Sequence, residues 1–199
     1  MDDARPFAID ILVVCTANQA RSPAAALLFH QEAAARLGPD HGLVIHSAGV
    51  NASAGEPLLA NMAAALDRRG LRLDEHHARP VEADELAASR LVVTMTEEHR
   101  RAVNRMEPTV VSRSYTLCEI DRLVSSQWWE PAWDGADDAM ERLRRLRPVV
   151  PKGKRSEDIV DPAGHSVEIA VAVLDEMVDR TARVSAHLFG AVRAAEASA

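Results

Sequence analysis

The chain has 199 residues, enough for one well-buried domain, and its 47% hydrophobic and 27% charged residues are ordinary for a globular protein. A formal net charge of -7 argues against broad binding to nucleic acids or anionic membranes. Cys15 and Cys118 are too few for a disulfide framework, and no apolar run is long enough for a leader peptide or a membrane span. We therefore expect a cytoplasmic location.

Short apolar strands alternate with helices along most of the chain. The predicted strands are residues 8–14, 43–46, 91–95 and 110–115. The predicted helices are residues 24–37, 57–69, 82–88, 97–106 and 166–193. This alternation indicates a parallel sheet covered by helices on both faces, built as a single domain over residues 1–199.

The stretch at about 119–157 interrupts the alternation. It contains Trp128, Trp129 and Trp133, followed by acidic residues and then a basic run at 142–155 that prolines and a glycine break up. We predict a helical insertion and then a loop, with the tryptophans packing the insertion onto the core. The basic run is either a solvated face or a docking patch for an acidic or phosphorylated partner.

A polar loop joins the first strand to the first helix. It consists of Cys15, Thr16, Ala17, Asn18, Gln19, Ala20, Arg21 and Ser22, and is called the 15–22 loop below. Its successive backbone N–H groups can curve around one anion, and the helix N-terminus adds partial positive charge. The Arg21 guanidinium can hold two phosphate oxygens. These residues are predicted to bind phosphate.

The cysteine of this loop is a candidate nucleophile. The field of the helix N-terminus and of Arg21 favours the Cys15 thiolate, which then lies below a bound phosphate for in-line attack. Ser22 can hydrogen-bond the thiolate and help it leave. Asn18 can brace the loop or adopt a left-handed conformation there.

With Pro23, the loop resembles that of the low-molecular-weight protein tyrosine phosphatase family, which reads roughly V-C-x-x-N-x-x-R-S-P. Other motifs follow in the family's order: Ser-Ala-Gly at 47–49, His-Ala-Arg at 77–79, Val-Val-Thr-Met at 92–95 and Asp-Pro at 161–162. The resemblance covers the chain except for about 119–157. It implies a three-layer α/β fold whose four-stranded parallel sheet has flavodoxin-like topology, and an enzyme that acts through a thiophosphate on Cys15.

The resemblance also assigns the general acid to Asp161. The leaving oxygen of a phosphoester needs a proton, and water must later be activated to attack the thiophosphate. The substrate is expected to be a phosphorylated protein or a small phosphomonoester. No metal, cofactor, nucleic acid or membrane is expected to take part.

Several departures leave alternatives open. Relatives that act on phosphotyrosine usually carry aromatic residues after Asp-Pro, where this chain has Ala163 and Gly164, and Gln19 does not decide between phosphotyrosine and phosphoarginine. An arsenate reductase of the same fold would need further cysteines, and only Cys118 is present. A non-catalytic phosphoprotein-binding module would need neither Cys15 nor Asp161.

The histidines offer a metal or acid–base alternative. His46, His76, His77 and His165 match no zinc-binding spacing, so they are predicted to be solvated or locally hydrogen-bonded.

Overall fold

The computed structural model describes residues 10–73, 75–129, 136–153 and 156–189. Its strands form one sheet, in which each is paired in parallel with its neighbours. They are β1 (Asp10–Cys15), β2 (Val44–Gly49), β3 (Leu91–Thr94) and β4 (Ser114–Thr116). The order across the sheet is β2-β1-β3-β4, which confirms the predicted four-stranded parallel sheet and places the carboxyl ends of all strands at one edge.

Helices cover both faces of this sheet. They are α1 (Arg21–Leu37), α2 (Ala60–Arg68), α3 (Ala83–Ala88), α4 (Glu97–Met106), α5 (Leu117–Val124), α6 (Ala136–Leu146) and α7 (Val167–Leu188). Alternate side chains of β1 enter two separate cores, as the period of two in a strand requires. Ile11 and Val13 pack among α1, α2 and α5 to α7, whereas Leu12 and Val14 pack among α3 and α4. The predicted three-layer architecture is therefore confirmed.

Of the four strands, β2 and β4 differ most from their predicted limits. β2 continues through Ser47 to Gly49, because those residues pair with the last residues of β1 instead of closing a turn. β4 begins only at Ser114, because Pro108–Val110 forms a 3-10 turn that the Glu107 side chain caps by accepting from the Thr109 N–H at 3.0 Å. The prediction of a strand from residue 110 was wrong.

The region after α6, within the stretch at 119–157, is bonded to the body of the protein through Arg147. The guanidinium of Arg147 lies 3.9 Å from the centre of the Tyr115 ring and donates to Glu119 at 2.8 Å. It also donates to the Ser114 carbonyl on β4. Arg147 thus links the region after α6 to the edge of the sheet and has a structural role there.

The tryptophans of this stretch differ in their surroundings. Trp129 is buried and meets the His187 ring edge-on at 5.5 Å, as expected of a residue that packs the stretch onto the core. Trp128 is exposed, and Trp133 lies outside the described residues.

Candidate active site

The 15–22 loop leaves the carboxyl end of β1 and enters α1 at Arg21, its first helical residue. The carbonyls of Cys15, Thr16 and Gln19 accept from the N–H groups of residues 50, 51 and 59, at 2.8 to 2.9 Å. The Ala20 carbonyl accepts the first bond of α1. The backbone N–H groups of residues 16–20 donate no hydrogen bond to any of the described residues. Because carbonyls of the loop bond neighbouring segments, its N–H groups are available to donate hydrogen bonds to a single bound anion.

Asn18 fixes the shape of this loop. Its φ of 54° is left-handed, a region that asparagine tolerates better than most residues. The side-chain amide donates to Ser22 Oγ at 3.0 Å and to Ser47 Oγ at 2.8 Å, and its oxygen accepts from the Arg79 N–H at 3.0 Å. His76 Nε2 donates to the Asn18 carbonyl at 2.6 Å. Both predicted roles of Asn18 are therefore seen.

Cys15 is buried and lies beside Ser22, with 3.0 Å between Cys15 Sγ and Ser22 Oγ. Ser22 Oγ accepts from Asn18 and lies 3.2 Å from the Ala48 carbonyl. Its single proton can therefore bond either that carbonyl or the sulfur. When Cys15 is a thiolate, the Ser22 hydroxyl can turn to donate to it.

Gly49 allows β2 to approach the loop closely. A Cβ at this position would lie 2.8 Å from the Asn18 nitrogen and 3.0 Å from the Ala17 carbonyl carbon, and would collide with the Thr16 carbonyl oxygen. All three are backbone atoms, which cannot swing aside as a side chain can.

We expect Gly49→Ala to destabilise the fold by about 1–3 kcal/mol, the usual cost of overpacking, and to weaken phosphate binding because the loop must shift. Thermal unfolding and phosphate titration measure the two effects. Gly38→Ala is the control: Gly38 has a φ of +98° and open space around its Cβ position. It should lower stability but leave phosphate affinity unchanged. Wild-type phosphate affinity in Gly49→Ala would show that the close approach is unimportant.

Arg21 spans the distance between the 15–22 loop and a second loop at residues 158–165. Its buried guanidinium donates to the Ile159 carbonyl at 3.1 Å, to Thr16 Oγ1 at 3.4 Å and to Asp161 Oδ2 at 2.5 Å. Arg21 Nε is buried and bonds none of the described residues. Both terminal nitrogens are bonded, one to Ile159 and the other to Asp161 and Thr16, so a bidentate contact with phosphate needs Nε together with the terminal nitrogen that now bonds Asp161.

The 158–165 loop presents Asp161 to the site. The Ile159 N–H donates to the Met95 carbonyl at 2.8 Å, and Asn61 donates to the Pro162 carbonyl at 2.7 Å, so the loop is tied to β3 and α2 on either side of the carboxylate. Asp158 instead accepts from the Glu97 N–H at 2.8 Å, at the start of α4. The structure thus separates the two aspartates: Asp161 meets Arg21, and Asp158 caps a helix.

These groups line one cavity of about 210 Å³, formed by residues 15–17 and 19–21 together with Leu59, Asp161 and Ala163. Cys15, Arg21 and Asp161, which are far apart in the sequence, all reach it. No aromatic side chain of the described residues lines it. The cavity thus brings together a thiol, a guanidinium and a carboxyl group.

His99 is a residue near the cavity that was not predicted from the sequence. This residue lies in the first turn of α4, is buried, and places Nε2 at 2.8 Å from Thr16 Oγ1. Burial, aided by the nearby Arg21, lowers its pKa to about 4, so the ring is neutral at physiological pH. A signal was available: α4 follows β3 directly, and residues that follow parallel strands gather at the carboxyl edge.

Cys118 lies outside this cavity. It is buried and unpaired, and burial raises the pKa of its thiol to about 12. A thiol with this pKa is a poor nucleophile at neutral pH, so Cys118 is ill-suited to relay oxidation from Cys15.

A parallel α/β sheet with a Cys-x5-Arg loop at its carboxyl edge is typical of cysteine-dependent phosphatases. The sequence profile described as "Low molecular weight phosphotyrosine protein phosphatase" matches residues 10–132. The chain therefore belongs to the low-molecular-weight protein tyrosine phosphatase family and is a phosphatase. Cys15 and Arg21 lie inside the matched region, and Asp161 lies beyond it.

Individual relatives agree with this assignment. The chain is 23% identical over 135 residues, or 68% of its length and 88% of the relative's, to a probable low molecular weight protein-tyrosine-phosphatase, EpsP, of Ralstonia nicotianae. A YwlE mutant from Bacillus subtilis superposes with a TM-score of 0.68 at 25% identity, covering 91% of this chain and 99% of that one. The YwlE arginine phosphatase from Geobacillus stearothermophilus shares the fold, with a TM-score of 0.65, 24% identity, and coverage of 89% and 90%.

Among the described helices, none is both long and apolar enough to cross a bilayer.

Proposed function

We propose that this phosphatase uses Cys15 as nucleophile, Arg21 as phosphate-binding residue and Asp161 as general acid and base. The observation that carries the proposal is their convergence on one cavity at the carboxyl edge of the sheet. The backbone N–H groups of residues 16–20, with Arg21, hold the phosphoryl oxygens, and Ser22 donates to the sulfur.

The reaction proceeds in two displacements. Cys15 Sγ attacks phosphorus, the P–O ester bond breaks, and the protonated Asp161 carboxyl gives its proton to the leaving oxygen. Water then attacks the thiophosphate while Asp161 takes its proton. The P–S bond breaks, inorganic phosphate leaves, and the hydrogen bond from Ser22 stabilises the released thiolate.

Arg21 links substrate binding to the acid. One guanidinium nitrogen of Arg21 is bonded to Asp161 Oδ2 at 2.5 Å. A phosphate dianion competes for that nitrogen. Binding therefore frees the half-exposed carboxyl of Asp161 to turn to the leaving group.

We expect Arg21→Lys to lower kcat on the order of 10²–10³-fold, the usual effect of losing one transition-state donor, because lysine keeps the charge but not the planar fork. Steady-state kinetics on an aryl phosphate measure it. Arg79→Lys is the matched control, since Arg79 pairs with Glu85 and does not line the cavity. A raised KM with unchanged kcat in Arg21→Lys would show that Arg21 stabilises the bound substrate and the transition state equally.

The substrate is proposed to be a phosphorylated protein, with phosphotyrosine as the first candidate from the family. Phosphoarginine is the second, because the cavity wall contributed by Leu59 and Ala163 offers no aromatic face to stack on a phenyl ring. A profile of the purified protein with phosphotyrosine, phosphoserine and phosphoarginine peptides, run beside arsenate reduction, tests this. Turnover of neither phosphotyrosine nor phosphoarginine would contradict the proposal.

We also propose one domain over residues 1–199, with an insertion at about 119–157, and a cytoplasmic location. Two unpaired cysteines and a mechanism that needs a free thiol support a reducing compartment. Arg147 bonds Glu119, Val111 and Ser114, so the stretch at 119–157 contributes to the fold.

A further inference from the structure

His99 and Thr16 form a polar contact at the wall of the cavity that the mechanism above does not use. His99 Nε2 lies 2.8 Å from Thr16 Oγ1, and Arg21 also points a terminal nitrogen at that oxygen, at 3.4 Å. Thr16 itself lines the cavity. The direction of the Thr16 hydroxyl proton therefore depends on which atom of the histidine carries its proton.

The surroundings of the imidazole select one tautomer. His99 Nδ1 is buried and has no hydrogen-bond partner among the described residues. A buried N–H donor without a partner is rarer in proteins than an acceptor without one. The neutral ring therefore keeps its proton on Nε2 and leaves the lone pair on Nδ1.

This tautomer determines what Thr16 can do. Arg21 is a donor only, and His99 Nε2–H is then a second donor, so the hydroxyl oxygen accepts twice. The hydroxyl proton is left to point away from both donors. A phosphoryl oxygen bound in the cavity would be an acceptor for it.

We propose that His99 is a positioning residue that donates from Nε2 to Thr16 Oγ1 and so directs the Thr16 hydroxyl toward the bound phosphoryl group. The inference rests on the proposed function, since it takes the cavity to be the phosphate site. In this scheme Thr16 contacts substrate through its side chain as well as its backbone. His99 never touches substrate.

A double-mutant cycle separates this role from a structural one. Thr16→Val removes the hydroxyl at nearly constant volume, and His99→Leu removes the donor. A hydrogen bond to a charged group corresponds to about 10–100-fold, so each should lower kcat for an aryl phosphate by about that factor. The double variant should be no slower than the slower single variant, because without the hydroxyl there is nothing for His99 to direct. If the losses of kcat in the two single variants multiplied in the double variant, the proposal would be overturned.

Conservative variants and a matched control test whether the hydroxyl and the N–H donor themselves are needed. Thr16→Ser keeps a hydroxyl, and His99→Gln keeps an N–H near the Nε2 position, so both should recover most of kcat. His46→Leu is the control: His46 is another half-buried histidine with its pKa lowered mainly by burial, and it lies outside the cavity. It should leave kcat unchanged.

Imidazole nitrogen chemical shifts test the tautomer in the unaltered protein, even if His99→Leu fails to fold. His76 is an internal reference, because its Nε2 faces a carbonyl and must carry the proton. His99 should show the same pattern, and a proton on Nδ1 would overturn the proposal.

Phosphate binding keeps this inference distinct from the proposed function. In the Cys15→Ser background, His99→Leu and Thr16→Val should each weaken inorganic phosphate binding, and together no more than the weaker-binding single variant. If the parent protein hydrolyses no phosphoester, the proposed function fails while this binding cycle still tests His99. If the parent protein does hydrolyse phosphoesters, but the effects of His99→Leu and Thr16→Val multiply in either cycle, the proposed function stands and only the inference about His99 fails.

Discussion

Cys15→Ser should have no measurable turnover and should still bind phosphate or vanadate. Removal of the nucleophile in other covalent enzymes costs on the order of 10⁶-fold in kcat. The backbone N–H groups and Arg21, which hold the anion, remain in place. Serine is a weak nucleophile here because no described histidine lies within hydrogen-bond distance of residue 15 to take its proton.

Cys118→Ser is the matched control for this variant. Cys118 is the second buried thiol of the chain, and it does not line the cavity. Turnover should persist in it, at a modest cost in stability from burying a hydroxyl. Wild-type turnover in Cys15→Ser, or its loss in Cys118→Ser with the fold intact, would mean that the nucleophile has been misassigned.

Asp161→Asn should slow an unsubstituted phenyl phosphate by about 10²–10⁴-fold, the usual contribution of a general acid. A nitrophenyl phosphate should be slowed far less, because its leaving group is stable as an anion. The variant should bind inorganic phosphate at least as well as the parent, because the carboxylate no longer competes for Arg21. The ratio of kcat values for the two substrates is the measurement.

Asp158→Asn is the control for that ratio. Asp158 caps α4 by accepting from the Glu97 N–H, and asparagine keeps an acceptor oxygen for that bond, so the melting temperature and the leaving-group dependence should both stay close to those of the parent. If the two variants exchanged behaviours, Asp158 would be the acid.

The sequence predicted the parts of this molecule that local pattern determines. A short apolar strand, a polar loop and a run of helix formers gave β1, the 15–22 loop and α1, and the alternation of strands and helices gave the parallel sheet. The loop could be recognised because Cys15, Asn18, Arg21 and Ser22 lie within eight residues.

The parts that were missed depend on contacts between distant segments. His99 reaches Thr16 across 83 positions of sequence, and Arg147 reaches Glu119 across 28. The basic run gave no sign that one of its arginines would lie, partly buried, over a tyrosine ring. In β4, the turn at Pro108 displaced the start of the strand, which propensity alone placed too early.

Rapid-quench trapping can show whether Cys15 carries the phosphoryl group during turnover. The protein is mixed with an aryl phosphate labelled on phosphorus, quenched in acid within the first turnovers, digested and analysed by mass spectrometry. We expect one labelled peptide, carrying a phosphoryl group on Cys15, in the parent protein and in Asp161→Asn. The labelled peptide should accumulate in Asp161→Asn if that substitution slows thiophosphate breakdown more than thiophosphate formation. Label on any other residue, or turnover with no labelled cysteine at any quench time, would contradict it.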